Sequence, residues 1–309
     1  MSKESLTQQD TITASPDEVV SLTTQVKHRG EIRRIIRVFF GRKIAVFGLF
    51  ITVILVITAI FAPWLAPHNP YKMNMGEELL PPNSKFLLGT DSLGRDTLSR
   101  IIYGSRTSLI IGLGATLIAA LVGQTLGMIA GMYSGKVFTI IMRLNDTVMT
   151  IPMLLLALVI ASVLGGGIKN VIIALGIGMI PGHCRLMCGQ VLSLRENDYI
   201  LAGRAIGVGS IRMMVRHILP NAFPPLVVLT TIGLGTTILA EAGLSFLGIG
   251  IEPPICAWGS MINDGYRYLM TNPVLAFAPG LAIMLVVFGV NMVGDGLRDA
   301  LDPRLRGII

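Results

Sequence analysis

The sequence predicts an all-α, polytopic membrane protein with six transmembrane helices. Of its 309 residues, 52% are hydrophobic and 14% are charged, where soluble domains average about 25% charged. The mean hydropathy is +0.70. The apolar residues gather into six stretches of about 20 or more, the length needed to cross a hydrocarbon core about 30 Å thick. The cations are also unequally shared between the connections, as the positive-inside rule requires. That rule accounts for the net charge of +7 without a nucleic-acid partner.

Residues 1–26, rich in Ser, Thr, Gln and Asp, are expected to be disordered. From Lys27 to Lys43 the chain turns amphipathic: Ile32, Ile35, Ile36, Phe39 and Phe40 recur at helical spacing against Arg33, Arg34, Arg37 and Arg42, the pattern of a helix lying in the headgroup plane. Residues 1–43 thus form a tail and leader, and 44–306 the transmembrane domain. The spans fall near 44–63, 107–132, 138–163, 170–190, 223–249 and 275–297. With both termini inside, 18 Lys and Arg lie on the inner side and seven outside, so both termini are expected in the cytoplasm.

That orientation places 64–106 outside. The prolines of APWLAPHNP forbid a continuing helix there. Further on, Asp91 or Ser92 can cap an interfacial helix carrying Asp96 and Arg100 four apart, with Leu98, Ile101 and Ile102 as its apolar edge. Between spans five and six, Trp258, Tyr266 and Tyr268 suit a water–lipid boundary, and Asp264 is expected to pair with Arg267 on a short helix.

Inside the spans, Ala119, Gly123, Gly127 and Gly131 step by four and form a close-packing face, toward a helix of this chain or toward a second subunit. Charges at depth cost about 3 kcal/mol or more, so they mark function or pairing. Arg143 and Asp146 can neutralise each other on one face. Glu241 stands alone in span five and should face a water-filled path or find a partner in another helix. Asn291 and Asp295, in the last turns of span six, make a weaker case for the path. His183, Cys184 and Cys188 do not make a complete metal site, since only the two cysteines share a face; a polar step beside Pro181 is the plainer reading. Cys184, Cys188 and Cys256 form no disulfide framework. The chain has no GxxxxGK[ST] phosphate loop, no GxSxG elbow, no HExxH and no cleavable signal pattern. No catalytic, cofactor-binding or metal residue is expected.

The most informative connection is 191–222. It is far longer than the two to eight residues that suffice to join neighbouring helices. It carries helical patterns over Tyr199–Ile206 and Ile211–Leu219, joined at Gly207-Val208-Gly209-Ser210; Ser210 can cap the second helix and Pro220 end it. Taken alone this is an interfacial connector or a projecting helix–turn–helix shaped to be held.

Ala202, Gly203, Ala205, Gly207, Ile218, Leu219 and Pro220 resemble the signature loop of bacterial ABC-importer permeases, although Leu201 stands where that family usually has Glu. Three further runs resemble the second (C-type) permease subunit of the dipeptide, oligopeptide and nickel importers. They are Leu88-Gly89-Thr90-Asp91 with Gly94-Arg95-Asp96, Ser99-Arg100, Gly104, Arg106 and Ser108-Leu109; Ala240-Glu241-Ala242 with Leu244-Ser245-Phe246-Leu247-Gly248; and Gly294-Asp295-Gly296-Leu297-Arg298-Asp299 with Leu301-Asp302-Pro303. The likeness covers roughly residues 30–306. It implies a coupling helix docked on an ATPase, a second homologous permease, two ATP-binding subunits carrying ATP and Mg, and an extracytoplasmic solute-binding protein, all at the bacterial inner membrane. The rival class is a stand-alone ion-coupled secondary transporter or channel, with Glu241 and Asp295 as coupling groups. It would be favoured by an inverted repeat with broken helices, and no clear one is visible.

Overall fold

A computed structural model describes residues 29–301; the expectations for residues 1–26 and for Asp302-Pro303 lie outside them. The elements are α1 (Arg29–Gly41), α2 (Lys43–Leu65), α3 (Thr97–Met132), α4 (Lys136–Met149), α5 (Met153–Leu164), α6 (Ile168–Leu194), α7 (Asp198–Ala205), α8 (Ser210–Phe246), α9 (Trp258–Tyr266) and α10 (Val274–Leu301). No strand occurs among the described residues beyond one isolated bridge, Thr90 with Asp96. Helices α2, α3, α6, α8 and α10 are each long and apolar enough to cross a membrane; the bent pair α4 and α5 makes a sixth crossing if counted as one. The bundle has a near end, where α1, α7 and the close of α10 gather, and a far end formed by 66–96 and α9.

The third expected span, 138–163, is not one helix. It bends by 89° between α4 and α5. Pro152 has no N–H to give and disfavours a helical Ile151 before it, so the chain leaves α4 through i→i+3 bonds, Thr150 N to Thr147 O and Ile151 N to Val148 O. Helix α5 then has 12 residues, about 18 Å at 1.5 Å each and short of a full crossing.

The second span begins earlier than expected. The outer helix and the span are one 36-residue helix, and its cap is Asp96, whose Oδ2 accepts from Ser99 N, rather than Asp91 or Ser92. Asp91 instead folds the turn before it, accepting from Leu93 N and Arg95 N at 2.9 Å and from Arg95 Nε at 2.6 Å. Arg100 faces Asp91 at 3.6 Å and donates to Pro70 O, so the expected Asp96–Arg100 pair does not form. Gly94 is required here twice over: its φ is +69°, and a Cβ would lie 2.1 Å from Asn74 O.

Helix α3 packs against α6 through its small-residue stripe, a helix of the same chain. A Cβ on Gly127 would fall 2.2 Å from Cys184 O, and one on Gly123 2.6 Å from Ile180 O. Backbone thus meets backbone where lipid supplies no hydrophobic drive. Helix α1 packs against the bundle: Ile35, Val38 and Phe39 meet Ala45 at the start of α2 and Val293, Leu297 and Ala300 at the end of α10, and Arg42 pairs with Asp299.

Three further expectations change. Asp146 pairs across to Arg185 of α6 instead of Arg143. Trp258 is 2% exposed and donates from Nε1 to Ile101 O at 2.9 Å, so it belongs to the core; Gly104 leaves the room it occupies. Asp264 lines a narrow far-end cleft with Asp91, Arg100 and Tyr268 rather than meeting Arg267.

Candidate docking loop and buried polar seam

The 195–218 segment forms a knuckle with an anchored side and a bare side. Helix α7 closes in a six-to-one and five-to-two pair of bonds, Val208 N to Gly203 O and Gly207 N to Arg204 O, both 3.0 Å, with Gly207 at φ +81° in the αL position that glycine favours. Gly203 lets α7 approach α8, since a Cβ there would sit 2.7 Å from Met213 Cε. Ile200, Met213 and Ile218 are buried with Met187, Val191, Ala222 and Leu226. Facing away, Ile206 is 82% and Ile211 73% exposed, with Tyr199, Leu201 and Val215 also open. Of the residues expected to couple, Ala202, Ala205, Gly207 and Pro220 are exposed, Gly203 and Leu219 partly so, and Ile218 is an anchor.

Two local readings are corrected. Pro220 does not end the second helix: the helix runs from Ser210 to Phe246, and Pro220 sits just after the π-type turns of Met214–Ile218, at the start of the regular stretch Leu219–Phe246. Gly209, not Ser210, holds the cap position, and no side-chain cap bond forms. The start of α8 is loosely bonded: Met214–Ile218 forms wider π-type turns, and Pro224 and Pro225 within the helix donate to no carbonyl.

Glu241 takes the second of its two alternatives. It is wholly buried. Its Oε1 accepts from Ser245 Oγ at 2.8 Å, and its Oε2 from Ser108 Oγ of α3 at 3.4 Å. Two turns further along α3, Thr116 bonds Thr237 at 3.2 Å. The seam was legible as two i, i+4 stripes, Ser108-Gly112-Thr116 and Thr237-Glu241-Ser245, but nothing in the sequence says that they face each other. Asn291 is half-buried with Oδ1 unpartnered, close to Gly235, while Asp295 is exposed. His183 is buried with Nδ1 against Met179 O, and Cys184 and Cys188 are buried where the α3 stripe meets α6.

Two grooves flank α8 toward the near end. One, about 420 Å³, carries Thr116, Gln124, Thr230 and Thr231 among apolar residues, so it reaches the Thr116–Thr237 end of the seam; the other, about 570 Å³, carries Gln190, Asn221 and Arg298. The far-end cleft holds only about 20 Å³. There, burial pushes the Cys256 thiol and the Asp264 carboxyl up from their ordinary ranges, against the lowering effect of Arg95 and Arg100.

Residues 123–307 match the family model described as binding-protein-dependent transport system inner membrane component. Residues 31–82 match the N-terminal TM domain of oligopeptide transport permease C. The chain is 42% identical over 264 residues to a dipeptide transport system permease protein of Alkalihalophilus pseudofirmus, covering 85% of this chain and 87% of that one. It is 35% identical to a probable D,D-dipeptide transport system permease protein of Escherichia coli, covering 94% and 98%. Among solved structures, the methionine ABC transporter MetNI in inward-facing conformations has a chain that aligns with a TM-score of 0.56 at 18% identity, over 66% of this chain and 97% of that one. At that identity the likeness concerns the fold alone.

Proposed function

The chain belongs to the family of binding-protein-dependent transport system inner membrane components, and on that premise we propose that it is the C-type permease subunit of an ATP-driven importer of di- and oligopeptides. The substrate class follows the names of the relatives, several of them dipeptide permeases. The subunit works in a bacterial inner membrane beside a second homologous permease. Two separate ATP-binding subunits hold ATP and Mg and perform the hydrolysis, and an extracytoplasmic binding protein delivers the solute. Both termini and the knuckle face the cytoplasm, consistent with the eighteen-to-seven split of cations.

One observation carries the coupling: the exposed, apolar, conformationally fixed knuckle around Ile206, Gly207 and Ile211. Exposed apolar side chains on a rigid turn are what a groove on another protein accepts. The knuckle is built into α8, a single helix running from Ser210 to Phe246. When nucleotide binding draws the ATPase pair together, a push on Gly207 and its neighbours tilts α8 about its loosely bonded start. The spans then rock between inward and outward access, a rigid-body change. The solute passes along the half-polar grooves beside α8, with Asn291 and Asp295 as candidate contacts toward the inner mouth.

Purification from mild detergent tests the assembly, and ATP-driven uptake in vesicles tests the function. An ATPase pair co-purifies with the wild-type chain, and di- or tripeptide accumulates only with ATP and the binding protein. Uphill uptake by the lone chain without nucleotide would overturn this reading in favour of a secondary transporter.

A further inference from the structure

The 420 Å³ groove runs between α3 and α8, and no charged side chain is among its described lining residues. Its polar members are Thr116 and Gln124 of α3 and Thr230 and Thr231 of α8, set in an apolar wall. A hydroxyl has one hydrogen to give and two lone pairs to offer. Thr230 gives its hydrogen to Leu226 O at 2.8 Å, and Thr231 gives its own to Val227 O at 2.9 Å. Thr237 has Gly233 O at 2.8 Å and Met179 Sδ at 2.9 Å as acceptors for its hydrogen, so Thr116 is the donor in the 3.2 Å bond between Thr116 and Thr237. All three groove threonines therefore spend their hydrogens inside the protein. What they keep for an occupant is lone pairs, which accept from N–H groups and give nothing to a carbonyl or carboxylate. Gln124 brings the only N–H among the lining side chains, together with a carbonyl oxygen.

Helix spacing sets the length of what fits. Gln124 follows Thr116 by eight residues, about 12 Å along α3, toward the near end. Thr116 meets Thr237, and Thr231 and Thr230 precede Thr237 by six and seven residues, about 9–10 Å along α8 in the same direction. Gln124 thus faces the two threonines at a common level, about 10 Å from Thr116. An extended chain rises about 3.3 Å per residue, so about three residues cover that distance.

We propose that Thr230, Thr231 and Gln124 form a transit contact that reads a short, extended peptide by its backbone: the threonine oxygens accept an amide N–H, and Gln124 donates to a peptide carbonyl. The proposal deepens the importer reading and rests on its placing of the solute in the grooves beside α8. With no charged side chain in the lining, this contact favours neither sign of solute side chain. What it selects is the amide itself, in a chain of two or three residues.

The test uses the whole transporter in vesicles, with binding protein loaded beforehand with alanyl-alanine or alanyl-N-methylalanine and the bound peptide measured. Initial ATP-driven uptake is read at limiting loaded binding protein for wild type, T230V/T231V and T230S/T231S. Valine keeps the shape of threonine without its oxygen, and the carbonyls of Leu226 and Val227 keep their helix N–H partners. Uptake of alanyl-alanine is expected to fall about threefold in T230V/T231V, about what one hydrogen bond is worth inside a membrane protein. Uptake of the N-methyl peptide, which has no amide N–H, should not change between wild type and that variant, and T230S/T231S should restore the faster uptake of alanyl-alanine. The bulk of the N-methyl group acts on wild type and variant alike and cancels in the comparison. Equal slowing of both peptides, or of neither, would refute the contact. Loss of the second permease from T230V/T231V in mild detergent would refute it too, by making the groove a seam between subunits. A wild type that takes up neither peptide with ATP sinks the importer reading itself, whereas the other two results leave that reading standing.

Discussion

Gly207 gives the sharpest test of the knuckle, because its geometry separates two reasons for needing glycine. A Cβ placed there meets nothing within 4 Å, so bulk is not the obstacle; the φ of +81° is. An L-residue with a Cβ in that region costs about 1–2 kcal/mol, and about 1.4 kcal/mol is tenfold in an equilibrium. Gly207→Ala should therefore weaken the equilibrium for the turn that holds the Val208–Gly203 and Gly207–Arg204 bonds by about five- to thirtyfold. Affinity for the ATPase falls by that factor once the turn is no longer the dominant state. Asn, which tolerates the αL region, should lose less, and a β-branched Val more. Gly207→Asp combines tolerable backbone strain with a charge beside Ile206 and Ile211, and should fail mainly at docking. The assay is titration of detergent-solubilised variants with the purified ATPase subunit, alongside ATP-driven uptake in vesicles. If Ala bound as tightly as Gly, or Asn as poorly as Val, backbone strain at Gly207 would not be the reason and the argument would fail.

Other expectations follow from the packing. Gly127→Ala forces a Cβ within 2.2 Å of Cys184 O and should cost about 1–3 kcal/mol by thermal unfolding in detergent, while Gly182→Ala on α6, with open space around it, should be neutral or stabilising by up to about 1 kcal/mol. Trp258→Phe removes the bond to Ile101 O and should cost about 1 kcal/mol, whereas Trp258→Ala should cost about 3–5 kcal/mol by emptying a core site. Cys256 is 1% exposed and its thiol is raised by burial, so a maleimide at pH 7.5 should leave it unmodified in the folded chain and label it after denaturation. Removing the exposed Arg185–Asp146 pair should change stability by less than about 1 kcal/mol.

What the sequence by itself determined was everything set by local composition and spacing. Long apolar runs had to become helices, because lipid leaves backbone groups no other partner. The Gly207 turn and the small-residue stripe followed from what glycine permits. Wherever a residue had to choose among partners, tertiary structure decided. Asp96 capped a helix instead of pairing with Arg100, Asp146 turned to Arg185 rather than Arg143, and Trp258 entered the core in place of the membrane boundary. Sequence separation hides such choices: Glu241 and Ser108 lie 133 residues apart, and their meeting depends on how α3 and α8 pack. The 89° bend was half legible in Pro152, which marks where a helix can break; only the packing of α5 against its neighbours fixes where the broken end points.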